Sequence, residues 1–159
     1  MHPTRIQLSI EQRHQICTLL QQLLVESTDL ALALKVAHWN VRGPQFLPLH
    51  ELFDQLADKL RGHGDDLAER IAQLGGQPDA TAKRVAEQSE LEAYPVTATT
   101  AEDHLTAVAD RWADFANACR RAIETADDAD DEVTTDLLTG LTGDLDKQLW
   151  FLEAHLVGA

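Results

Sequence analysis

The apolar residues of this chain recur at three- and four-residue spacing, and this periodicity constrains the fold more than any other feature. In an α-helix such positions fall on one face, so the pattern predicts amphipathic helices that pack together. The first segment, Ser9–Asn40, keeps the pattern throughout. Ser9 is the predicted N-cap, with Gln12 completing a capping box. Gly43 and Pro44 then end the helix.

Three more segments of this kind follow, and signals for β-strands are nearly absent. The second helix stops at the Gly75-Gly76 pair, and Pro48 fits its first turn. The predicted helices cover about 47–74, 100–126 and 133–156, with a short helix at 81–90 in the long connector and an acidic linker at 127–132. This arrangement predicts an all-α four-helix bundle that forms a single domain over residues 1–159, with a short extra helix between helices 2 and 3.

The chain is strongly acidic. Thirteen Lys and Arg residues stand against 27 Asp and Glu, which gives a formal net charge of −14 and an isoelectric point near 4.7. A surface of that sign attracts cations and repels phosphate backbones and anionic membranes. The charge therefore favours metal ions as partners over nucleic acid, although an acidic surface can also serve solubility alone.

Two cysteines, Cys17 and Cys119, lie within helical patterns and are expected to be small buried side chains without a disulfide. The N-terminal residues have no apolar core of a signal peptide. No apolar run approaches the roughly 18–20 residues that span a bilayer. These features predict a protein of the reducing cytoplasm that does not enter a membrane.

The second helix carries four metal-capable side chains on one face. Taking His50 as 0° around the helix axis, a turn of 100° per residue places Asp54 at about 40°, Asp65 at about 60° and Glu69 at about 100°. Carboxylates on a partly buried helix stripe must be paired or bind a cation. The shared phase thus points to metal ligation, whereas each residue alone would fit a solvated charge or a hydrogen-bonded histidine.

The distance along the helix separates these ligands into two pairs. His50/Asp54 and Asp65/Glu69 are each spaced i,i+4, and their centres lie about 22 Å apart at 1.5 Å per residue. One ion cannot bridge that gap. A two-fold axis at mid-helix would bring His50/Asp54 of one chain opposite Asp65/Glu69 of another, forming two equivalent sites. Gly64 lies on the same face and is expected to admit the partner helix closely.

His38, one turn before the first helix ends, can add a second imidazole beside His50. Mixed nitrogen and oxygen ligation of this kind suits iron, with zinc or manganese as competitors. Oxygen-rich ligation also stabilises Fe(III) over Fe(II), which favours oxidation of a bound ferrous ion. The residues therefore predict an iron site shared between two chains.

The motifs H-W-N-V-x-G, F-x-x-L-H-x-x-F-D and D-D-x-A-E-R followed by L-G-G span residues 38–76 and resemble the Dps family, the DNA-binding proteins from starved cells. The last helix, DLLTGLTGDLDKQLWFLEAHL, is also similar. The resemblance implies a ferritin-like subunit of a hollow dodecamer. Such a shell oxidises Fe(II), preferentially with hydrogen peroxide and otherwise with dioxygen, stores the ferric mineral and protects against oxidative damage.

Carried over by position, the resemblance implies that His38, His50 and Asp54 come from one subunit and that Asp65 and Glu69 come from its dyad mate. It also implies zinc as a possible resting metal. Trp39 takes the place of the family's site-adjacent tryptophan, an electron donor during peroxide reduction or simply a packed aromatic.

Acidic residues at the start of the family's fourth helix line three-fold pores. Asp131, Glu132 and Asp136 are the corresponding candidates here, although the same residues would also suit a helix N-terminus.

Three alternatives remain open. A DNA-compacting structural protein with incidental metal binding would need Lys/Arg-rich tails, but only Arg5 precedes the first helix, so DNA binding is not expected unless divalent cations bridge it. A classical ferritin or bacterioferritin needs two E-x-x-H motifs, and this chain has one, at Glu11–His14. A bundle without metal is the third alternative.

Overall fold

The computed structural model describes residues 1–157, which form five helices and no strand. Helix α1 packs along α2 and α4 packs along α5, and the two pairs meet through α1–α4 and α2–α5 contacts. The short α3 packs on α1. The predicted all-α four-helix bundle with an extra helix between helices 2 and 3 is confirmed. The bounds are α1 Ile10–Asn40, α2 Phe46–Gln73, α3 Ala82–Gln88, α4 Ala101–Asp128 and α5 Glu132–Leu156.

Side-chain caps define where several of these helices begin. The Ser9 hydroxyl accepts the Gln12 backbone N–H, and the Gln12 side chain accepts the Ser9 N–H, so the predicted capping box is confirmed. Thr100 and Asp103 form the same box at α4. Thr81 caps α3. Each cap satisfies backbone donors that lack helical partners. The predicted bounds of the helices agree with the structure to within two residues.

The acidic linker predicted at 127–132 is shorter in the structure. Asp127 and Asp128 still belong to α4, because Ala126 beneath them is fully buried and holds the helix against the core. The chain turns at Asp130, whose φ of 55° is a left-handed conformation that Asp tolerates better than most residues. Charge density alone therefore does not end this helix.

The core runs the length of the bundle, and its largest fully buried side chains include Trp112, Phe53 and Phe115. Trp112 donates from Nε1 to the Leu145 carbonyl of α5 at 2.9 Å, which satisfies its one buried polar atom. Cys119 is also buried, as predicted, and burial raises its thiol pKa to about 12. Cys17 is likewise buried and free. No helix within residues 1–157 has the length and apolarity to cross a membrane.

The N-terminal segment is fastened to the end of α2. Gly75 has a φ of 83°, which ends the helix in a left-handed turn. The His2 N–H donates to the Gly75 carbonyl at 2.6 Å, and Arg13 donates to the Leu74 carbonyl at 3.2 Å. A Cβ at Gly75 would approach the His2 carbonyl oxygen to 2.3 Å. The first residues thus lie against the bundle.

Candidate metal centre

The tight turn between α1 and α2 brings His38 and His50 into contact. Gly43, with a φ of 106°, reverses the chain within five residues of the end of α1. The two imidazole rings stack with their centroids 3.6 Å apart and an interplanar angle of 21°. Nδ1 of His38 lies 2.7 Å from the His50 carbonyl, and Nδ1 of His50 lies 2.8 Å from the His38 carbonyl.

These reciprocal hydrogen bonds place a proton on Nδ1 of both rings. A carbonyl oxygen can only accept, so each Nδ1 must carry the proton and donate it. In a neutral imidazole the lone pair is then on Nε2, the atom that binds a metal. Histidine ligands commonly donate their other N–H to a carbonyl in this way. The hydrogen bonds thus use Nδ1 of both rings and leave Nε2, on two adjacent helices, as the nitrogen that a metal ion could take.

Asp54 lies one turn after His50 on α2, and its carboxylate forms an ion pair with Lys35 of α1. The Lys35 hydrogen bond lowers the pKa of Asp54, which keeps the carboxylate ionised. His38, His50 and Asp54 all border one surface depression of about 440 Å³. The structure thus brings three of the five predicted ligands to one opening.

Lys35 was not singled out from the sequence. It lies one turn before His38, a spacing that places both on one face of α1, but its partner Asp54 is on another helix. The ammonium group occupies the place beside the carboxylate that a cation would take. Binding of a metal ion at Asp54 must therefore compete with Lys35.

Asp65 and Glu69 lie toward the other end of α2, are exposed, and form no ion pair within residues 1–157. Asp65 borders a separate, largely apolar groove of about 370 Å³ between α1 and α2. Across the described part of one chain, no three His, Cys, Asp or Glu side chains converge closely enough to hold a metal ion. The five predicted ligands therefore form two separate groups in a single chain.

Gly64 has a different role from the one predicted. It is buried against α1 of its own chain, where an added Cβ would lie 3.2 Å from the Ser27 hydroxyl and 3.7 Å from Leu24. The close approach that a small residue permits is therefore between α1 and α2 of the same subunit. The expectation that Gly64 admits a partner helix is corrected on this point.

Apolar side chains flank both groups of ligands. Leu47, 58% exposed, borders the depression beside His50, and Leu32, 56% exposed, borders the groove beside Asp65. Trp39 is 66% exposed and follows His38 directly. It is therefore not a packed aromatic within this chain. Exposed apolar residues around polar half-sites are typical of surfaces that another protein chain covers.

Of the three pore candidates, Asp131 is already engaged inside the bundle. It is 2% exposed, accepts two hydrogen bonds from Arg70 at 2.8 and 3.0 Å, and accepts the Thr134 N–H at the start of α5. Burial alone would raise its pKa, but the hydrogen bonds from Thr134 and Arg70 outweigh it and lower the pKa. Asp131 is therefore removed from the pore candidates. Glu132 and Asp136 are both exposed.

Comparison with known proteins identifies extensive similarity. The ferritin-like domain family matches residues 17–158. The DNA protection during starvation protein of Agrobacterium fabrum is 42% identical over 155 residues, which cover 98% of this chain and 96% of the relative. The protein of the same name from Mycolicibacterium smegmatis is 38% identical over 152 residues, covering 96% and 82%. The tetragonal structure of Mycobacterium smegmatis Dps aligns with a TM-score of 0.94 at 36% identity, covering 100% of this chain and 96% of that one.

Proposed function

The chain belongs to the Dps proteins of the ferritin-like family, and from this membership we propose that it is a ferroxidase that binds Fe(II), oxidises it and stores the ferric product. The observation that carries the proposal is the His38–His50 pair: both rings donate from Nδ1, and both residues border a depression that Asp54 also borders. Two imidazoles and nearby carboxylates form a ligand set suited to iron, with zinc as a competing resting metal.

The complete site is proposed to form between two subunits. His38, His50 and Asp54 of one chain would face Asp65 and Glu69 of its dyad mate, and the reverse set would form the second site. Three observations support this arrangement. A single chain holds no group of three ligands within residues 1–157, His50/Asp54 and Asp65/Glu69 lie toward opposite ends of α2, and exposed apolar residues flank each group. A dodecamer built on this dyad would enclose the mineral.

Hydrogen peroxide is the proposed preferred oxidant, with dioxygen as the slower one. Two ferrous ions give one electron each, and peroxide with two protons becomes two water molecules. Because both electrons come from paired iron, no hydroxyl radical is released. Trp39, exposed and next to His38, is proposed as an auxiliary electron donor at the interface. Glu132 and Asp136, spaced i,i+4 at the start of α5, are proposed to draw Fe²⁺ through a three-fold pore.

The names of the relatives refer to DNA protection, and removal of Fe(II) and peroxide would protect DNA without contact with it. Direct DNA binding is not part of the proposal, because the net charge is −14 and the His2 N–H is hydrogen-bonded to Gly75 on the bundle. A gel-shift assay at low salt, with and without Mg²⁺, separates the two functions. Retardation of DNA without divalent cations would favour the DNA-compacting alternative.

The ferroxidase proposal is tested by loading the protein with Fe(II) anaerobically and then adding peroxide. Ferric absorbance should grow faster than in buffer alone, and His50→Ala should slow it markedly. His14→Ala is the matched control, because His14 is an exposed histidine of α1 remote in sequence from the ligands. Equal rates for wild type and His50→Ala would overturn the site assignment.

A further inference from the structure

The partly buried Tyr94 and the buried His104 form a hydrogen-bonded pair that lies outside the metal ligands. The Tyr94 hydroxyl is 2.6 Å from Nδ1 of His104, and the two rings lie nearly parallel at an interplanar angle of 13°. His104, on α4, is only 1% exposed. Tyr94 belongs to the connector that precedes α4, so the pair joins the connector to the bundle.

The direction of this hydrogen bond follows from the surroundings. Burial raises the pKa of Tyr94 to about 12, so the phenol keeps its proton. Burial lowers the pKa of His104, so its ring is neutral despite the opposing influence of Asp103 and of the Asn40 backbone. That backbone lies beside the ring, although Nε2 makes no hydrogen bond of full geometry. The phenol therefore donates its proton to Nδ1 of His104, and the proton of the neutral ring is on Nε2.

Arg111 fixes the connector around Tyr94. Its guanidinium donates to the carbonyls of Glu92 and Ala93 in the connector and of Ala107 on α4. Its Cζ atom lies 5.5 Å from the centre of the Tyr94 ring. A cation at that distance opposes a positive charge on the ring. Oxidation of Tyr94 would therefore require that its proton leave with the electron, and His104 is placed to receive it.

The pair reaches the end of α1 that carries the candidate ligand. Asn40, whose backbone lies beside His104, is two residues beyond His38, a rise of about 3 Å along the helix. We propose that Tyr94 donates an electron during peroxide reduction at the His38 half-site, while His104 accepts the phenolic proton. The proposal rests on the proposed ferroxidase function and adds to it a redox residue and a proton acceptor.

The step balances as follows. Peroxide at a site that holds a single ferrous ion takes one electron from iron and one from Tyr94. With two protons from solvent it becomes two water molecules. The phenol O–H bond breaks and its proton passes to Nδ1 of His104, leaving a neutral tyrosyl radical and an imidazolium. A second ferrous ion then reduces the radical, and the proton returns from His104. The sum is two Fe(II) oxidised for each peroxide.

This electron transfer from Tyr94 matters only at a half-loaded site, that is, a site that holds one ferrous ion instead of two. One ferrous ion alone supplies one electron, which would split peroxide into hydroxide and a hydroxyl radical. An electron from Tyr94 completes the two-electron reduction before that happens. The relay would therefore matter at low iron loading and leave the oxidation of fully paired iron unchanged.

Tyr94 is the only tyrosine among 159 residues, so a tyrosyl radical can be assigned without ambiguity. The assembled protein is loaded anaerobically with one Fe(II) per site, mixed with peroxide and frozen within milliseconds for electron paramagnetic resonance. We expect a tyrosyl signal. Growth on 3-fluorotyrosine should change its hyperfine pattern without altering the hydrogen bond, and Tyr94→Phe should abolish it. His104→Gln, which can still accept a hydrogen bond from the phenol but is a much weaker base, should lower its yield.

A spin trap for hydroxyl radical provides the second measurement. Tyr94→Phe should release more trapped radical than wild type at one Fe(II) per site, and the same amount at two. Normal iron oxidation without any tyrosyl signal would overturn the relay and leave the ferroxidase proposal intact. Failure of wild type to oxidise iron would overturn the ferroxidase proposal itself. A radical yield in His104→Gln equal to wild type would remove His104 as the proton acceptor.

Discussion

His38 and His50 hold each other in place: each donates its Nδ1 proton to the backbone carbonyl of the other, and their rings stack at 3.6 Å. Ligands that are already oriented lose little conformational freedom when a metal ion binds. The same contact ties the last turn of α1 to the first turns of α2. Metal binding and the packing of these two helices are therefore coupled at one point.

Replacement of Lys35 by Gln should strengthen Fe(II) binding. The ammonium group pairs with Asp54 and repels a cation at the same carboxylate. Because the ion pair is partly exposed, solvent screens it, and the dissociation constant should fall by only a few-fold. Anaerobic calorimetry with Fe(II) measures this dissociation constant. Lys83→Gln on α3 is the control, because Lys83 makes only a loose 3.9 Å pair with Glu87. Weaker binding in Lys35→Gln would show that Lys35 supports the site.

Asp131→Ala should destabilise the fold strongly. It removes the partner of the buried Arg70 guanidinium and the cap of α5. Breaking a buried ion pair by deleting one member costs about 3–5 kcal/mol. Urea unfolding of the isolated subunit or of the shell gives the change in the free energy of unfolding. Asp146→Ala, which breaks the half-exposed pair with Arg120, should cost under about 1 kcal/mol. Similar losses for both variants would contradict the structural role of Asp131.

The contribution of Asp131 should also depend on pH. Its pKa in the folded chain lies below the usual value of about 3.9, so the folded state binds fewer protons than the unfolded state. The stabilisation is therefore complete above that usual value and is lost as the pH falls through the folded pKa. The difference in unfolding free energy between wild type and Asp131→Asn should shrink as the pH falls from about pH 5 down through the folded pKa. A difference that stays constant over this range would argue against a charged Asp131.

Glu132→Gln together with Asp136→Asn should slow iron uptake without weakening iron binding at the half-sites. Both residues are exposed at the start of α5, where a ring of carboxylates would concentrate Fe²⁺. Stopped-flow oxidation at low Fe(II) measures the rate, and the effect should diminish at high salt. Asp128→Asn removes a nearby exposed charge and serves as the control. Equal rates for all three proteins would place the route elsewhere.

The helices could be predicted from local sequence patterns. The ion pairs between helices could not, because they join residues far apart in the chain. Ser9 and Thr100 mark helix starts through hydrogen bonds to residues three positions away, so the pattern is visible in the chain itself. Lys35 and Asp54 pair across two helices, and that partnership appears only once the turn at Gly43 is folded. Asp131 looked like a surface acid because its partner Arg70 is 61 residues away.

The ligands on α2 show the same difference between what a local pattern predicts and what contacts between helices decide. Helical phase placed the four α2 ligands on one face, and the distance along the helix separated His50 and Asp54 from Asp65, which borders a different opening. It could not show whether Gly64 on that face meets its own α1 or another subunit, because phase gives a direction and not a neighbour. The packing against Ser27 resolved that question in favour of the same chain.

The central claim is that each iron site needs two subunits, and co-assembly of two inactive variants tests it most directly. His50→Ala and Asp65→Ala subunits, each carrying a different tag, are co-expressed and the mixed shells are purified. At every interface between unlike subunits one site loses both residues and the other keeps all five ligands. The account predicts that peroxide-driven iron oxidation, low in either variant alone, returns in the mixed shells. Mixed shells as inactive as the parents would contradict a site shared across the dyad.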